Sequence, residues 1–264
     1  VPGYLPANIL HDGVVTRSVR DTWAFHAEIE KNIPATEFPP IGNISESFPK
    51  NLKIAVLTEN CLGEDSSAEL VKATHDVAKL CESLGHEVEM ISNPFYKKFD
   101  EDFWLLWAHF GFLIRYSVGK ELSSKFDHSQ LEQWPKYLIA RHWRNIHKVP
   151  VAFWRLRRFV SQYETFMQNF DILLTPTLGT TVPKLGFFGP EVSGLEHWER
   201  INDFLPFTKY QNISGAPAIT LPCGTDLRGL PIGIQLSSRL GEDQLLLKLS
   251  LQLEQNSNWK SLDK

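Results

Sequence analysis

The sequence has few cysteines, and none of them is placed to form a known kind of site. Cys61, Cys81 and Cys223 are far apart in the 264-residue chain. They form no CxxC pair and no zinc-type spacing, and an odd number is a poor framework for disulfides. This usage excludes a disulfide-rich secreted domain and is typical of a reducing compartment, so we expect a cytoplasmic protein.

The sequence also lacks a hydrophobic run long enough to cross a bilayer. The longest one, FWLLWAHFGFLI at 103–114, has 12 residues and contains His109, whereas a membrane-spanning helix needs about 20. The net charge is −4, which gives no general attraction to nucleic acids. We therefore expect neither a membrane span nor a nucleic-acid partner.

Motifs that would identify a cofactor or a nucleophile are absent as well. The sequence has no GxGxxG and no GK[ST], so nucleotide binding has no support. It has no GxSxG nucleophile elbow either. His142 and His147 are five residues apart, a spacing that does not place them on one helical face. We predict that the chain holds no cofactor and no metal.

Length and composition indicate an ordinary globular protein. Apolar residues make up 42% of the chain and charged residues 22%, which is enough apolar material for a substantial core. The length fits one large α/β domain or two small ones. The chain starts without Met, in VPGYLPANILHDG, and we interpret it as a processed chain or an excised fragment.

The clearest unit is a predicted strand–helix–strand crossover. A buried-strand run at 52–58 is followed by a helix with one apolar face, and a strand is predicted at 86–92. Ser66 and Glu69 form a capping-box pattern at the helix start. Gly85 lies where the residue after a helix needs a positive φ. Such a unit implies two parallel strands in a mostly parallel sheet.

Outside this unit, the first 15 residues are predicted to be extended, and a helix is predicted to begin near Thr16 or Ser18. Prolines make 30–50 a connecting arm. Residues 95–170 are rich in aromatics and helical in character. The remaining predicted elements are one long helix at 154–170, a buried strand that ends at Pro176, a Gly/Pro-rich loop at 178–193, helical segments near 195–211, a strand pair within 214–236, and an amphipathic helix at 241–255.

Two features allow a structural and a functional interpretation. His109 lies inside an apolar helix, where a lone histidine is more often a satisfied core residue than a ligand or a catalytic group. The segment RHWRNIHKVPVAFWRLRR at 141–158 is basic, with interleaved tryptophans. In an acidic chain we favour a solvated helix face over a nucleic-acid contact. A membrane-surface helix is an intermediate alternative.

Four motifs occur in an order known from one family: DILLTPTLGTTVPKLG (171–186), NISGAPAITLPCG (212–224), GLPIGIQL (229–236) and GEDQLLLKLSLQLE (241–254). Together they resemble the C-terminal half of the amidase signature family. The segment HDGVVTRSVRDTW at 11–23 resembles the stretch that follows the signature core. The first residues, VPGYLPANILHDG, and the aromatic-rich segment 95–170 resemble the subgroup that includes 6-aminohexanoate cyclic-dimer hydrolase.

The resemblance implies an α/β fold in which residues 1–264 form the C-terminal portion of an amidase signature domain, a mixed β-sheet flanked by helices. It implies that 95–170 is a variable region on the substrate side. Family members use a Ser–Ser–Lys triad. Its two serines lie in a Gly/Ser-rich signature, and its lysine precedes that signature. This sequence contains no GGSSGGS-like stretch. We therefore predict that no residue of the chain is catalytic and that the chain alone is inactive.

Candidate substrate-binding residues follow from strand ends and aromatic content. Thr177 and Leu178 come directly after a buried strand, where ligands of open α/β sheets bind. Asn212 precedes a glycine turn and has an amide that can donate to a substrate carbonyl. Trp107 and Phe110 are candidates for the wall of an apolar pocket. For each of the five, simple core packing is the competing interpretation.

The resemblance implies two alternative functions. In the first, the full-length protein cleaves a carboxamide of a small molecule, and this chain is its C-terminal part. In the second, the chain is a stand-alone binding module without catalysis. In the family fold Gly215 would allow a close backbone approach in the strand pair. Without its N-terminal catalytic half, the chain should expose an apolar sheet surface and self-associate.

Overall fold

A mixed five-stranded sheet lies at the centre of the structure, a computed structural model that describes residues 9, 11, 13–33 and 37–257. Its order is β2-β1-β3-β5-β4. β1 is parallel to β2 and β3, whereas β5 is antiparallel to β3 and β4. The strands are β1 Lys53–Val56, β2 Glu87–Met90, β3 Ile172–Pro176, β4 Ala218–Thr225 and β5 Pro231–Ser237. This is the mixed α/β architecture expected from the sequence.

Helices cover both faces of this sheet. Those of the described residues are α1 Val19–Asn32, α2 Ala68–Ser83, α3 Phe99–Leu113, α4 Gly119–Leu122, α5 Gln133–Asn145, α6 Val149–Met167, α7 Gly194–Phe204, α8 Lys209–Ser214 and α9 Asp243–Asn256. Alternate strand residues point to opposite faces. Ile54 and Leu174 join an apolar cluster with α1, α2 and α9. Ala55 and Leu173 join a second cluster with α3, α6 and α8.

The predicted strand–helix–strand crossover is confirmed. β1 and β2 are parallel neighbours, with Ile54 opposite Val88, and α2 connects them. Gly85 follows the helix with a φ of 89°. Its N–H donates to the carbonyl of Glu82, and the N–H of His86 donates to the carbonyl of Cys81. These two bonds are the Schellman pattern, which requires the left-handed conformation that glycine adopts without strain.

The predicted capping box of α2 is wrong. The helix begins at Ala68, and the residue at its N-cap is Ser67, whose side chain makes no capping hydrogen bond. The Ser66 hydroxyl donates instead to the Thr58 carbonyl, 3.2 Å away. Glu69 accepts a hydrogen bond from the N–H of Leu227. Both side chains therefore connect the start of α2 to neighbouring loops, an outcome that local spacing does not reveal.

Gly215 also has a different role from the predicted one. A Cβ at this position would meet only the Leu240 Cδ1 atom, at 3.9 Å, which is an ordinary van der Waals contact. The prediction of a close backbone approach is therefore wrong. Gly215 ends α8 with a φ of 77°, and its N–H donates to the Gln211 carbonyl. The left-handed backbone is what requires glycine here.

Several boundaries differ from the sequence prediction. The long helix starts at Val149 rather than at 154 and has a proline in its first turn, where the missing N–H of proline costs nothing. Of the two cap candidates of α1, Ser18 accepts from the N–H of Asp21. α1 runs to Asn32, and no helix or strand occurs at 33 or 37–50. The extended chain predicted for 1–15 falls mostly outside the described residues.

The aromatic middle is helical, as predicted. The apolar run at 103–114 forms most of α3, and a π-helical turn, Ile114–Val118, follows it. No helix in the described part of the chain combines the length and the apolar character that crossing a membrane would need. The assignment of residues 1–264 to one portion of a larger domain stays a prediction.

Candidate functional site

Three polar side chains form a row across the sheet, close to the predicted binding residue Thr177. Thr175 of β3 lies opposite Gln235 of β5, and Gln235 lies opposite Thr220 of β4. Thr175 is fully buried, and its hydroxyl has no hydrogen-bond partner among the described residues. Thr220, at the edge strand, is exposed. The row therefore leads from the buried centre of the sheet to an open edge.

A hydrogen-bonded network fixes the buried side of this row. Gln235 Nε2 donates to Gln211 Oε1 on α8, at 3.0 Å. Gln211 Nε2 in turn donates to the Ser237 hydroxyl, also at 3.0 Å. The Tyr163 hydroxyl of α6 donates to the same Ser237 oxygen at 3.1 Å. Both bonds of the Gln211 amide thus go to β5, which ties α8 to the sheet, and Tyr163 links α6 to the same serine.

A glycine opens a notch at the exposed end. Thr177 and Thr220 place their Oγ1 atoms 3.3 Å apart across Gly233. A Cβ on Gly233 would lie 2.9 Å from Thr220 Cγ2 and 3.1 Å from Thr177 Oγ1. Any side chain at this position would therefore separate the two hydroxyls. We call the group of Thr175, Thr177, Gln211, Thr220, Gly233 and Gln235 the polar notch.

The polar notch offers hydrogen-bonding chemistry. Its hydroxyls and amides donate and accept hydrogen bonds, and none of them ionises near neutral pH. The neighbouring Ser237 is fully buried and already hydrogen-bonded. Burial raises the pKa of Cys61 to about 11 and that of Cys223 to about 12, so both thiols stay protonated. The hydroxyls and amides of the polar notch can therefore both donate hydrogen bonds and accept them.

The structure places three predicted site residues at the end of the central strand β3 and on α8. Thr177 follows β3, and its N–H donates to the Gly233 carbonyl at 3.1 Å. Leu178 is half-buried beside it. Asn212 lies on α8, and its carbonyl is 3.2 Å from His11 Nε2. Thr177 belongs to the polar notch, whereas the substrate-binding roles of all three stay predictions.

Trp107 and Phe110 form a separate group on α3. Their rings contact each other edge to face, with centroids 5.9 Å apart. Trp107 also packs against Phe103 and the second core cluster. Its indole nitrogen is buried without a hydrogen-bond partner among the described residues. Trp107 is part of an aromatic layer over the sheet, and Phe110 contacts that layer through Trp107. The pocket-wall role of both residues stays a prediction.

Two ion pairs lie beneath this aromatic layer, and neither was predicted from the sequence. Lys209, the first residue of α8, has a side chain only 2% exposed, and its Nζ lies 2.8 Å from Asp100 Oδ1 of α3. The ammonium group also lies over the Trp104 ring, 5.7 Å from its centroid. Arg155 of α6 forms a two-pronged pair with Asp102, at 2.5 Å for each bond. The two pairs connect α3 to α8 and to α6.

Two histidines that are distant in sequence also meet. The ring centroids of His109 on α3 and His142 on α5 are 5.1 Å apart. The Phe112 ring stacks on both, and Phe153 contacts His109. The Nδ1 atoms of both histidines are buried without partners among the described residues. Burial lowers the pKa of each imidazole, and the charge of His109 lowers that of His142 further.

We expect these histidines to make the chain less stable as the pH falls below about 6.5, the usual pKa of histidine. Because the folded-state pKa values are lowered, the unfolded chain binds more protons than the folded chain in this range. Stability therefore rises with pH up to the unfolded-state pKa. His142→Phe should reduce the difference between the unfolding free energies measured in urea at about pH 5 and about pH 7.5.

Phe112→Leu is the matched control for this experiment, because it alters the same cluster without removing a titrating group. It should lower stability by a similar amount at both pH values. An unchanged pH difference in His142→Phe would mean that protonation of this ring does not oppose folding.

Within the described residues, no group of three His, Cys, Asp or Glu side chains is arranged to hold a metal ion.

The comparisons with known proteins agree with this architecture. The amidase family model matches residues 4–247. The chain belongs to the amidase family. The putative amidase AmiC of Mycobacterium tuberculosis is 35% identical over 256 residues, which cover 97% of this chain and 54% of that protein. The 6-aminohexanoate-cyclic-dimer hydrolase of Pseudomonas sp. is 27% identical over 276 residues, covering 96% and 55%.

Solved amidase structures have the same fold. A structure of 6-aminohexanoate cyclic dimer hydrolase superimposes with a TM-score of 0.74 at 23% identity, covering 98% of this chain and 58% of that one. A bacterial aryl acylamidase of the amidase signature family superimposes with a TM-score of 0.68 at 21% identity. The chain spans about half the length of the curated relatives it matches.

Proposed function

We propose that the chain is the C-terminal part of an amidohydrolase that cleaves carboxamide bonds through an acyl-enzyme intermediate. The observation that carries the proposal is the polar notch at the sheet edge of an amidase-family chain that spans 54% of its relative from Mycobacterium tuberculosis. The Ser–Ser–Lys residues of the family would come from the remaining part of the full-length protein, since the printed sequence has no GGSSGGS-like segment.

In this proposal the chain positions the substrate and keeps water away from it. The hydroxyls of Thr177 and Thr220 and the amide of Gln235 supply hydrogen bonds to a carboxamide, while Trp107 and Phe110 border the apolar part of the ligand. Such a division, with a mostly apolar wall and few polar groups, is usual for small-molecule sites. The buried network through Gln211 holds these groups in place before the substrate arrives, which favours orientation for attack.

The edges of the sheet support a continuation of the sheet past β4. β2, at one edge, exposes the charged side chains of Glu87 and Glu89, which oppose pairing with another strand. β4, at the other edge, has the sequence AITLPCGT, carries no charge and offers 218–221 for pairing before Pro222 interrupts the strand. We propose that the rest of the full-length protein, the catalytic half, packs along β4 and closes the polar notch.

Without this half, the chain should self-associate through β4. The average mass measured by sedimentation equilibrium should rise above the monomer value of 30.2 kDa as the concentration increases. Ala218→Lys should return the chain toward the monomer, because a charge on an edge strand opposes pairing. Glu89→Lys on the opposite edge is the control and should leave association unchanged. A monomer at every concentration would favour a self-sufficient module over a half-domain.

The experiment that tests the proposed activity compares the chain with the full-length product of its gene. Both are assayed with linear carboxamides and with 6-aminohexanoate cyclic dimer, and both are treated with a fluorophosphonate that labels active serines. We expect hydrolysis and labelling only in the full-length protein. A labelled serine in the chain alone would contradict the proposal, because the chain would then hold its own nucleophile.

The alternative is a binding module without catalysis, which the neutral chemistry of the polar notch also supports. In that case, neither the chain nor the full-length product would hydrolyse an amide, although calorimetry would detect amide binding by the chain. Thr220→Val should weaken such binding, because it removes the exposed hydroxyl and keeps the shape of the side chain.

A further inference from the structure

The corner between α5 and α6 exposes an unusual number of large apolar side chains. Trp143 is 51% exposed at the end of α5, and Ile146 is 46% exposed in the connecting turn. Val151 and Trp154, on the first two turns of α6, are 50% and 56% exposed. Soluble proteins rarely group such residues on their surface without a partner. We call residues 143–158 the basic aromatic corner.

The same corner carries charge of one sign. Residues 143–158 contain five Lys and Arg residues and no Asp or Glu, although the whole chain is acidic. One of the five, Arg155, is paired with the buried Asp102. Arg144 and Lys148 are exposed beside the apolar residues. The Arg158 guanidinium lies 4.8 Å from the centre of the Trp154 ring. Cations therefore border the exposed tryptophan instead of forming a separate polar face.

The exposure of this corner follows from the helical periodicity of α6. Val151, Trp154 and Arg158 follow the spacing i, i+3 and i+7, which places them on one face of α6. Ala152, Leu156 and Phe159 lie on the opposite face and are fully buried in the core. The inner face of α6 is thus packed in the core, and Val151 and Trp154 on its outer face are exposed to solvent among the described residues.

We propose that the basic aromatic corner binds the surface of a bilayer that contains anionic phospholipid. Lys and Arg side chains are attracted to such a surface, and tryptophan prefers the boundary between headgroups and acyl chains. Ile146 and Val151 decide against a nucleic acid, because aliphatic side chains neither stack on bases nor contact phosphates. The chain would then lie on the membrane by one helix corner, as interfacial amphipathic helices do. The inference uses none of the residues of the polar notch and is independent of the proposed activity.

The test is flotation of the purified chain with lipid vesicles, which separates bound protein from aggregates because aggregates sink. We expect the chain to float with vesicles of phosphatidylcholine mixed with phosphatidylglycerol, and to stay at the bottom with phosphatidylcholine alone. Raising the salt concentration should weaken flotation, because salt screens the attraction. Brominated acyl chains in the vesicles should quench tryptophan fluorescence.

Two variants probe the two contributions. Arg144→Gln with Lys148→Gln should lower the partition coefficient about thirtyfold, since each basic side chain near an anionic surface contributes roughly fivefold. Arg144→Lys with Lys148→Arg keeps both charges and should bind like the original chain. Val151→Ser with Trp154→Ser should also weaken binding and remove part of the quenching.

The control variants are Lys79→Glu on α2 and Leu185→Ser, which change exposed residues outside the corner. Both should float as the original chain does. The proposal is overturned if the chain fails to float with anionic vesicles, if the control variants weaken binding as much as the corner variants do, or if the chain binds single-stranded RNA and not vesicles. Equal thermal melting of the variants excludes unfolding as the cause of a loss.

Discussion

Asp100→Leu should destabilise the chain by about 3–5 kcal/mol, the usual cost of removing one member of a buried ion pair. The Lys209 side chain is 2% exposed, and Asp100 Oδ1 is 2.8 Å from its Nζ. No other hydrogen-bond acceptor contacts this ammonium group within the described residues. The substitution therefore leaves a desolvated cation without a counter-ion among the described residues, beside the Trp104 ring.

Lys209→Met should cost less than Asp100→Leu. The Asp100 side chain is 20% exposed, so its carboxylate keeps some contact with water when the lysine is lost, although its Oδ1 atom is buried. The methionine also fills much of the space of the lysine stem. The two members of one ion pair thus differ in the cost of their loss, and the difference follows from their unequal exposure.

The double variant Asp100→Leu with Lys209→Met completes the comparison and should be more stable than Asp100→Leu alone. Replacing a buried pair by apolar residues of similar size is often neutral or stabilising, because the desolvation cost of both charges disappears. Urea unfolding of the four proteins gives the coupling free energy. Additive effects of the two substitutions, or a larger loss for Lys209→Met, would contradict this account of the pair.

The parts of the fold that the sequence predicted correctly are those with local signals. The crossover through α2 was found because an apolar periodicity, a strand run on each side and Gly85 all lie within 40 residues. β3 and β5 were found from short apolar runs between turn residues, and α9 from its amphipathic pattern. The start of the long helix was predicted five residues late, because Pro150 stands in a first turn that tolerates proline and the helix begins at Val149.

The polar notch could be predicted only in part, because it depends on strand register. Thr175, Thr220 and Gln235 become neighbours through pairings between β3, β5 and β4, and no local pattern gives those pairings. A signal was present, however: Gln235 interrupts the apolar run PIGIQL, and a buried amide needs a partner. Thr177 was predicted from its place after a strand, whereas Gln211 and Thr220 were missed.

The buried charges were hidden for a different reason. Asp100 and Lys209 are separated by more than a hundred residues, and no local pattern pairs them. Ser66 shows the opposite error, since a familiar local pattern predicted a cap and the side chain bonded to a loop instead. Charged and hydroxyl side chains bond to whichever groups the tertiary fold places beside them. Their contacts therefore cannot be predicted from the local sequence.

Gly179→Ala should be the most damaging single-methyl change near the candidate site. A Cβ at this position would lie 2.0 Å from the backbone oxygen of Asp203 and 3.0 Å from the Pro206 ring. The Gly179 N–H donates to the Phe204 carbonyl, and its own carbonyl accepts from the N–H of Ser67. The added methyl group cannot avoid a backbone atom, so the end of α7 has to move away and at least one of these bonds is lost.

The expected cost is about 3 kcal/mol, the upper part of the range for overpacking, since a backbone contact cannot be relieved by a side-chain rotation. Gly224→Ala is the matched control, because its Cβ would meet only the Ala73 Cβ at 3.6 Å, and it should cost less than about 1 kcal/mol. Both are measured by urea unfolding.

Because Gly179 follows Leu178 directly, its displacement should also disturb Thr177 in the polar notch. Amide binding should therefore weaken in Gly179→Ala more than in Gly224→Ala. Equal stability of the two variants would mean that the loop after β3 yields easily and does not hold the notch in place.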